Sequence, residues 1–190
     1  MPWEWSEGEL KLRLAVVVIA VHGAVAVTPA AAHVFAVRGD TKIGAYAVRA
    51  DGGLGGAIRA FGRPTTTRHT FGRGTCRAVW TRHGLTIDFY NLGGGDACRP
   101  RDGRFSRAFL RGDHWMTTKR LRVGDSVAKL RRLYPDAPFR RGEPRLSPSG
   151  YWLLTRRSVF GDGSEYPGLL AEVSRRRVVG FQVRFPAGGD

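Results

Sequence analysis

With 190 residues, 42% of them hydrophobic and 25% charged, the chain has the balance of a globular protein of one domain or two small ones, which excludes an intrinsically disordered chain. Its formal charge of +15 is carried by arginines scattered along the sequence rather than by one tail or helix; that distribution attracts polyanions in general, and a GC-rich coding sequence produces it as well. The two cysteines, Cys76 and Cys98, form neither a C-x-x-C redox pair nor a zinc-ligand spacing.

Leu14 to Val27 is an unbroken apolar run apart from His22 and Gly23, with Lys11 and Arg13 before it and Thr28-Pro29-Ala30-Ala31-Ala32 after it. A basic start, a short apolar stretch and a small-residue exit are the parts of a secretory signal peptide, and the run is short for a membrane span. The expectation is a signal over residues 1–32, cleaved after Ala32, with no transmembrane anchor left in the mature chain. No cysteine follows the apolar run in the position a lipid anchor needs. The acidic, Trp-rich leader Met1 to Glu9 fits a signal poorly and points to Leu10 as an alternative start.

The mature chain is expected to divide into residues 33–112 and 113–190. Lys42 to Arg49 reads as a lead-in strand. Leu54, Ala57, Ile58 and Phe61 follow at the spacing of one helix face, entered through Asp51-Gly52-Gly53 and ended by Gly62 and Pro64. After a polar loop come two alternating runs in which Cys76, Ala78 and Trp80 share a face with Leu85, Ile87 and Phe89 across a turn at Thr81 to Gly84. Export makes the thiols pair, and with two cysteines the single connectivity is Cys76 to Cys98. Phe105 to Arg111 completes the first half as a strand.

In the second half Gly124-Asp125-Ser126 precedes Val127, Leu130, Leu133 and Tyr134, with Pro135 as the stop. Placing Gly52 on Gly124 aligns Ile58 with Leu130. A proline-rich loop, Pro135 to Pro148, leads to strands at Tyr151–Thr155, Leu169–Val173 and Val178–Phe185, the last two linked by Ser174 to Arg177. Val179, Phe181, Val183 and Phe185 read as the inward positions of the last strand, one residue out of step with the first half. The fold class is therefore α+β: two helix-plus-antiparallel-meander repeats with short helices packed on antiparallel sheet.

A signal followed by two such units, one carrying an internal disulfide, resembles the secreted beta-lactamase-inhibitor-protein fold and, half by half, the small outer-membrane-assembly lipoprotein fold. The residues that carry the likeness are Leu121-Arg122-Val123-Gly124-Asp125-Ser126 with Leu130 and Tyr134-Pro135, and Phe61-Gly62-Arg63-Pro64 in the first half. The second half has no cysteine pair. The resemblance implies a fold and not a particular target.

Asp51-Gly52-Gly53-Leu54-Gly55-Gly56 lies where a dinucleotide-binding loop would, but Ile58 takes the third glycine position and no parallel sheet is implied, so a helix entry is the better reading. His33, His69, His83 and His114 are isolated and read as solvated loop residues. Ser164 lacks a nucleophile elbow, Asp162 and Glu165 read as a turn, and the two Arg-Gly-Asp tripeptides at residues 38–40 and 111–113 are expected from composition. No catalytic residue, metal ligand or cofactor site is legible. What remains is the sheet face away from the helices, where alternation places Arg77, Thr86, Asp88, Tyr90, Glu172, Gln182 and Arg184. Tyr and Arg among mixed charges suit a protein-binding surface. The expected function is a secreted, non-catalytic binding or inhibitor-like module for a protein partner; the alternative is a basic cell-envelope protein held to anionic wall polymer or lipid.

Overall fold

The computed structural model describes residues 34–141, 150–158 and 165–185; the signal segment 1–32, Asp162 and Ser164 lie outside the described residues. The first elements are β1 (Phe35–Arg38), β2 (Lys42–Ile43) and β3 (Tyr46–Ala47). The single strand expected over Lys42–Arg49 is broken in two at Gly44, whose φ of +56° turns the chain back on itself. Asp51 then fixes the next turn: its carboxylate accepts from the Ala47 amide at 2.7 Å, while the buried Tyr46 hydroxyl donates to the Gly52 carbonyl at 2.7 Å. Burial comes first and the Asp51 charge second in pushing the Tyr46 hydroxyl pKa far up.

Helix α1 (Leu54–Phe61) buries Leu54, Ala57 and Phe61. Ile58, expected in that core face, is only half-buried, because Gly56 occupies the inner side; a Cβ there would sit 2.4 Å from the Asp51 carbonyl oxygen. β4 (Thr66–His69), β5 (Thr75–Trp80), β6 (Leu85–Tyr90) and β7 (Arg104–Leu110) follow, then β8 (Trp115–Thr117), α2 (Val127–Leu133), β9 (Phe139–Arg141), β10 (Gly150–Ser158), β11 (Glu165–Ser174) and β12 (Arg177–Arg184). Helix α2 starts at Ser126, whose hydroxyl accepts from the Lys129 amide at 3.2 Å, just after Asp125 accepts from the Arg122 amide at 2.7 Å. The sequence Gly124-Asp125-Ser126 is thus a turn and cap in succession.

The strands make a four-stranded sheet ordered β3-β2-β1-β8 and an eight-stranded sheet ordered β4-β5-β6-β7-β12-β11-β10-β9. All pairs of the larger sheet are antiparallel, and β1–β8 is the parallel pair of the smaller one. The protein is therefore α+β, mostly antiparallel. The Cys76–Phe89, Ala78–Ile87 and Trp80–Leu85 pairs form in the expected register, across a 3₁₀ turn closed by Gly84 at φ +52°. Following the pairs outward, Trp80, Leu85, Leu110, Phe181, Ala171 and Trp152 form one apolar row across six strands. Trp80 ends the row on one side, and on the other it passes from Trp152 to Phe139 of β9. The Phe61 ring of α1 lies 5.8 Å from Trp80, and Arg131 of α2 stacks 5.4 Å over Trp152, so both helices cover the same face.

Three further expectations change. The last strand does not point Val179 inward: Val178 is buried instead, because β12 carries an extra residue opposite the Glu172–Val173 step, a bulge that resets the alternation. The Ser174–Arg177 turn differs from Thr81–Gly84, for Ser174 pairs directly with Arg177 and leaves only Arg175 and Arg176 between, at φ +49° and +62°. His83 and His114 are half-buried rather than free in solvent. Their rings lie 5.3 Å and 6.0 Å from Phe35, and the His83 carbonyl accepts from His114 Nε2 and the Trp115 indole, each at 2.7 Å.

Cys76 and Cys98 are joined. The bond ties β5 to the β6–β7 loop, and that loop closes the start of α1: Gly55 N–H donates to the Pro100 carbonyl at 2.9 Å, and a Cβ on Gly53 would meet Gly103 O at 2.3 Å. The glycine run is therefore a close backbone contact between loop and helix, not a phosphate cradle.

Candidate functional site

Both helices contact one face of the large sheet, and the candidate surface is the opposite face. Alternation against the buried Ile87, Phe89, Ala171, Phe181 and Val183 places Asp88, Leu170, Glu172, Gln182 and Arg184 on it. The strand pairs align Arg68, Arg77, Asp88, Arg107 and Arg184 in one cross-strand row. The next row runs Thr66, Val79, Thr86, Phe109, Gln182, Leu170 and Leu153.

Arg77 donates to Asp88 through Nε at 2.6 Å and Nη2 at 2.8 Å, and Arg107 Nε donates to the second carboxylate oxygen at 2.8 Å. Burial opposes ionisation of Asp88, but the hydrogen bonds from Arg77 and Arg107 outweigh it and hold its pKa below the ordinary carboxylate range. Glu172 makes an ion pair with Arg111, whose Nη1 also donates to the Val179 carbonyl. Here burial wins: it pushes the Glu172 pKa up despite the attraction of Arg111 and Arg184. Arg184 donates through Nε to Gln182.

The structure thus brings Arg77 and Asp88 together, and Gln182, Arg184 and Glu172 together. Tyr90 sits apart, half-buried, at the rim of an open cavity of about 620 Å³ that it shares with Gly52, Asn91 and Arg101. An ordinary wet sheet face leaves its side chains open to solvent, yet Asp88, Glu172 and Gln182 are 8%, 2% and 3% exposed. Long cross-strand neighbours cover them. The sequence reading missed Arg107 and Phe109 of β7 and Arg111 just after it, which alternate and stack or pair outward, Arg107 lying 5.4 Å over the Phe109 ring. Their period of two was the available signal.

Other candidates fall away in the geometry. His69, Asp96 and Cys98 bring one ligand atom each within 4.8 Å, but the Cys98 sulfur is in the disulfide and offers no thiolate. The first Arg-Gly-Asp tripeptide is not presented, Asp40 being 7% exposed, while in the second, whose three residues are exposed, Arg111 is engaged with Glu172. No helix among the described residues is long and apolar enough to cross a membrane.

No family model and no curated protein matches the sequence. Among solved structures, an extracellular protein containing a SCP domain from Bacillus anthracis str. Ames is similar at a TM-score of 0.39 and 11% identity, over 70% of this chain and 43% of that one. The chain thus spans less than half the length of that neighbour.

Proposed function

We propose that this is an exported, non-catalytic binding module that receives a protein partner on the helix-free face of its eight-stranded sheet. The observation that carries the reading is the pre-set polar order of that face, in which Asp88 and Glu172 are nearly buried and fix the guanidinium groups of Arg77, Arg107 and Arg111 on the face away from both helices. Held side chains lose little freedom when a partner docks, which favours affinity. Phe109 and Leu153 in the adjacent row add apolar contact.

Two further parts belong to the same reading. The order α1 then β4–β7, and α2 then β9–β12, supports two helix-plus-meander repeats over residues 33–112 and 113–190, joined at β7 and β12, in the manner of the beta-lactamase-inhibitor-like fold. The disulfide supports an oxidising compartment, with the mature chain starting at His33. Intact-mass measurement of protein from culture medium tests the start, and a cell-held product retaining residues 14–27 refutes it.

The arginine row favours a second reading, retention on an anionic envelope polymer. Affinity capture from the producer's culture fluid and envelope separates the two. The wild type should retain a protein at high salt that the Phe109→Ala/Leu153→Ala variant loses. Retention that vanishes with salt, being charge-driven, favours the polymer, and equal retention by both proteins sinks the sheet-face reading.

A further inference from the structure

A second, separate feature lies on the helix side of the sheet, at its β9 edge. Val127, Arg131, Phe139, Trp152, Val173, Ser174 and Arg176 line a cavity of about 230 Å³. Its floor is aromatic: Phe139 and Trp152 stand 5.6 Å apart, and Phe139 is 46% exposed. Two guanidinium-bearing residues border it, Arg131 stacked over Trp152 and Arg176 at the β11–β12 turn, and no carboxylate is among its lining residues.

Arg176 is held where arginine is poorly suited. A two-residue hairpin turn with both central residues at positive φ favours Asn-Gly, yet Arg175 and Arg176 stand there at φ +49° and +62°. A strained residue bordering a pocket points to a use for its side chain. The pocket is also small for a drug-sized ligand and fits about one side chain. Beside it β9 is the last strand of the sheet among the described residues, and an extended peptide can join such an edge.

We propose that this pocket takes the C-terminal residue of a partner peptide, its apolar side chain on the floor made by Phe139 and Trp152 and its free carboxylate on Arg131 and Arg176. Guanidinium groups recognise a carboxylate through paired N–H donors, and the aromatic floor selects an apolar last residue. The site is independent of the sheet-face reading.

The test uses the full chain, ¹⁵N-labelled, titrated with acetyl-Ala-Ala-Phe as free acid, with the same peptide as C-terminal amide, and with 3-phenylpropionate, following the Trp152 indole resonance. The free acid should bind at least about fivefold more tightly than the amide and than phenylpropionate. R176G, whose glycine suits the positive φ and keeps the turn, should abolish the preference for acid over amide, whereas R175N should leave it intact. F139A should weaken acid and amide alike. Equal affinity for acid and amide, or an R176G variant that binds as the wild type does, overturns the proposal. Phenylpropionate binding as tightly as the peptide makes the ligand a small apolar acid and overturns the C-terminal assignment. No saturable shift with any of the three probes up to about 10 mM, a dissociation free energy below roughly 3 kcal/mol, also overturns it.

Discussion

Asp88 and Glu172 share one sheet face and each pairs with arginine, yet their pKa values move in opposite directions, down for Asp88 and up for Glu172. For Asp88 the folded value lies below the unfolded one, so its contribution is present above the unfolded pKa and lost as pH falls through the depressed one. For Glu172 the folded value lies above the unfolded one, so the fold is favoured below the unfolded pKa and that advantage is lost as pH rises through the raised value. At neutral pH the two conservative variants should therefore differ in sign. Asp88→Asn removes the acceptor charge shared by Arg77 and Arg107 and should cost roughly 1–3 kcal/mol, reduced by the partial exposure of both arginines. Glu172→Gln should be neutral or stabilising, because it removes a buried charge that the arginines only partly compensate. Urea melts at pH 7 and pH 4 check both, and a Glu172→Gln loss as large as that of Asp88→Asn would contradict the assignment. The helix residues separate in the same way: Leu130→Ala, at 0% exposure, should cost about 2–5 kcal/mol and half-buried Ile58→Ala only about 1–2.

Among the elements, the stapled hairpin was the most legible in sequence, because a strict two-residue alternation from Cys76 to Phe89 leaves one register that buries Ala78, Trp80, Leu85 and Ile87 together. The start of α2 was legible for a similar reason, since Ser126 is a capping residue placed just ahead of an apolar spacing. What escaped were features that only long-range packing decides. Ile58 lost its core position to a glycine pressed against Asp51, and the alternation of β12 was reset by a bulge at Val179 that no local signal marks. Alternation groups Arg77 with Asp88 and Gln182 with Arg184 but leaves Tyr90 apart, and the ion-pair partners on β7 could not be named without knowing which strand lies next to β6. The β11–β12 turn carries an element-scale prediction: replacing Arg175-Arg176 by Asn-Gly relieves two positive-φ arginines and should stabilise the protein by about 1–2 kcal/mol. In the opposite sense Gly84→Ala should destabilise it by more than about 1 kcal/mol, since φ is +52° and the new Cβ would meet Arg111 O at 2.2 Å. Removing the disulfide by Cys76→Ser/Cys98→Ser should cost roughly 3 kcal/mol and loosen the loop over α1. Denaturant midpoints of the three variants against wild type measure these effects, and an Asn-Gly turn no more stable than the native one would mean that the arginines are not strained.

At the scale of the whole molecule the deciding contact is the seam between β7 and β12, where Phe181 meets Leu110 and Val183 meets Ala108. Without it the strands β4–β7 and β9–β12 would be two separate four-stranded meanders, each with an exposed edge. With it the apolar row from Trp80 to Trp152 runs unbroken under both helices, so burying either end depends on the sheet being whole. The small sheet ties the halves again, because β1 pairs with β8 and the Phe35 ring lies 5.0 Å from Trp115. Such coupling should make the described core one cooperative unit. Phe181 is fully buried in the seam, and Phe181→Ala should cost about 3–5 kcal/mol. The informative quantity is how that loss is shared. Amide exchange at Ile87 in β6 and at Ala171 in β11 should report the same opening free energy in the wild type, and the variant should lower both by the same amount. If only the Ala171 side weakens while Ile87 keeps its protection, the two meanders open independently, and a binding face that spans the seam would have to be replaced by one confined to a single meander.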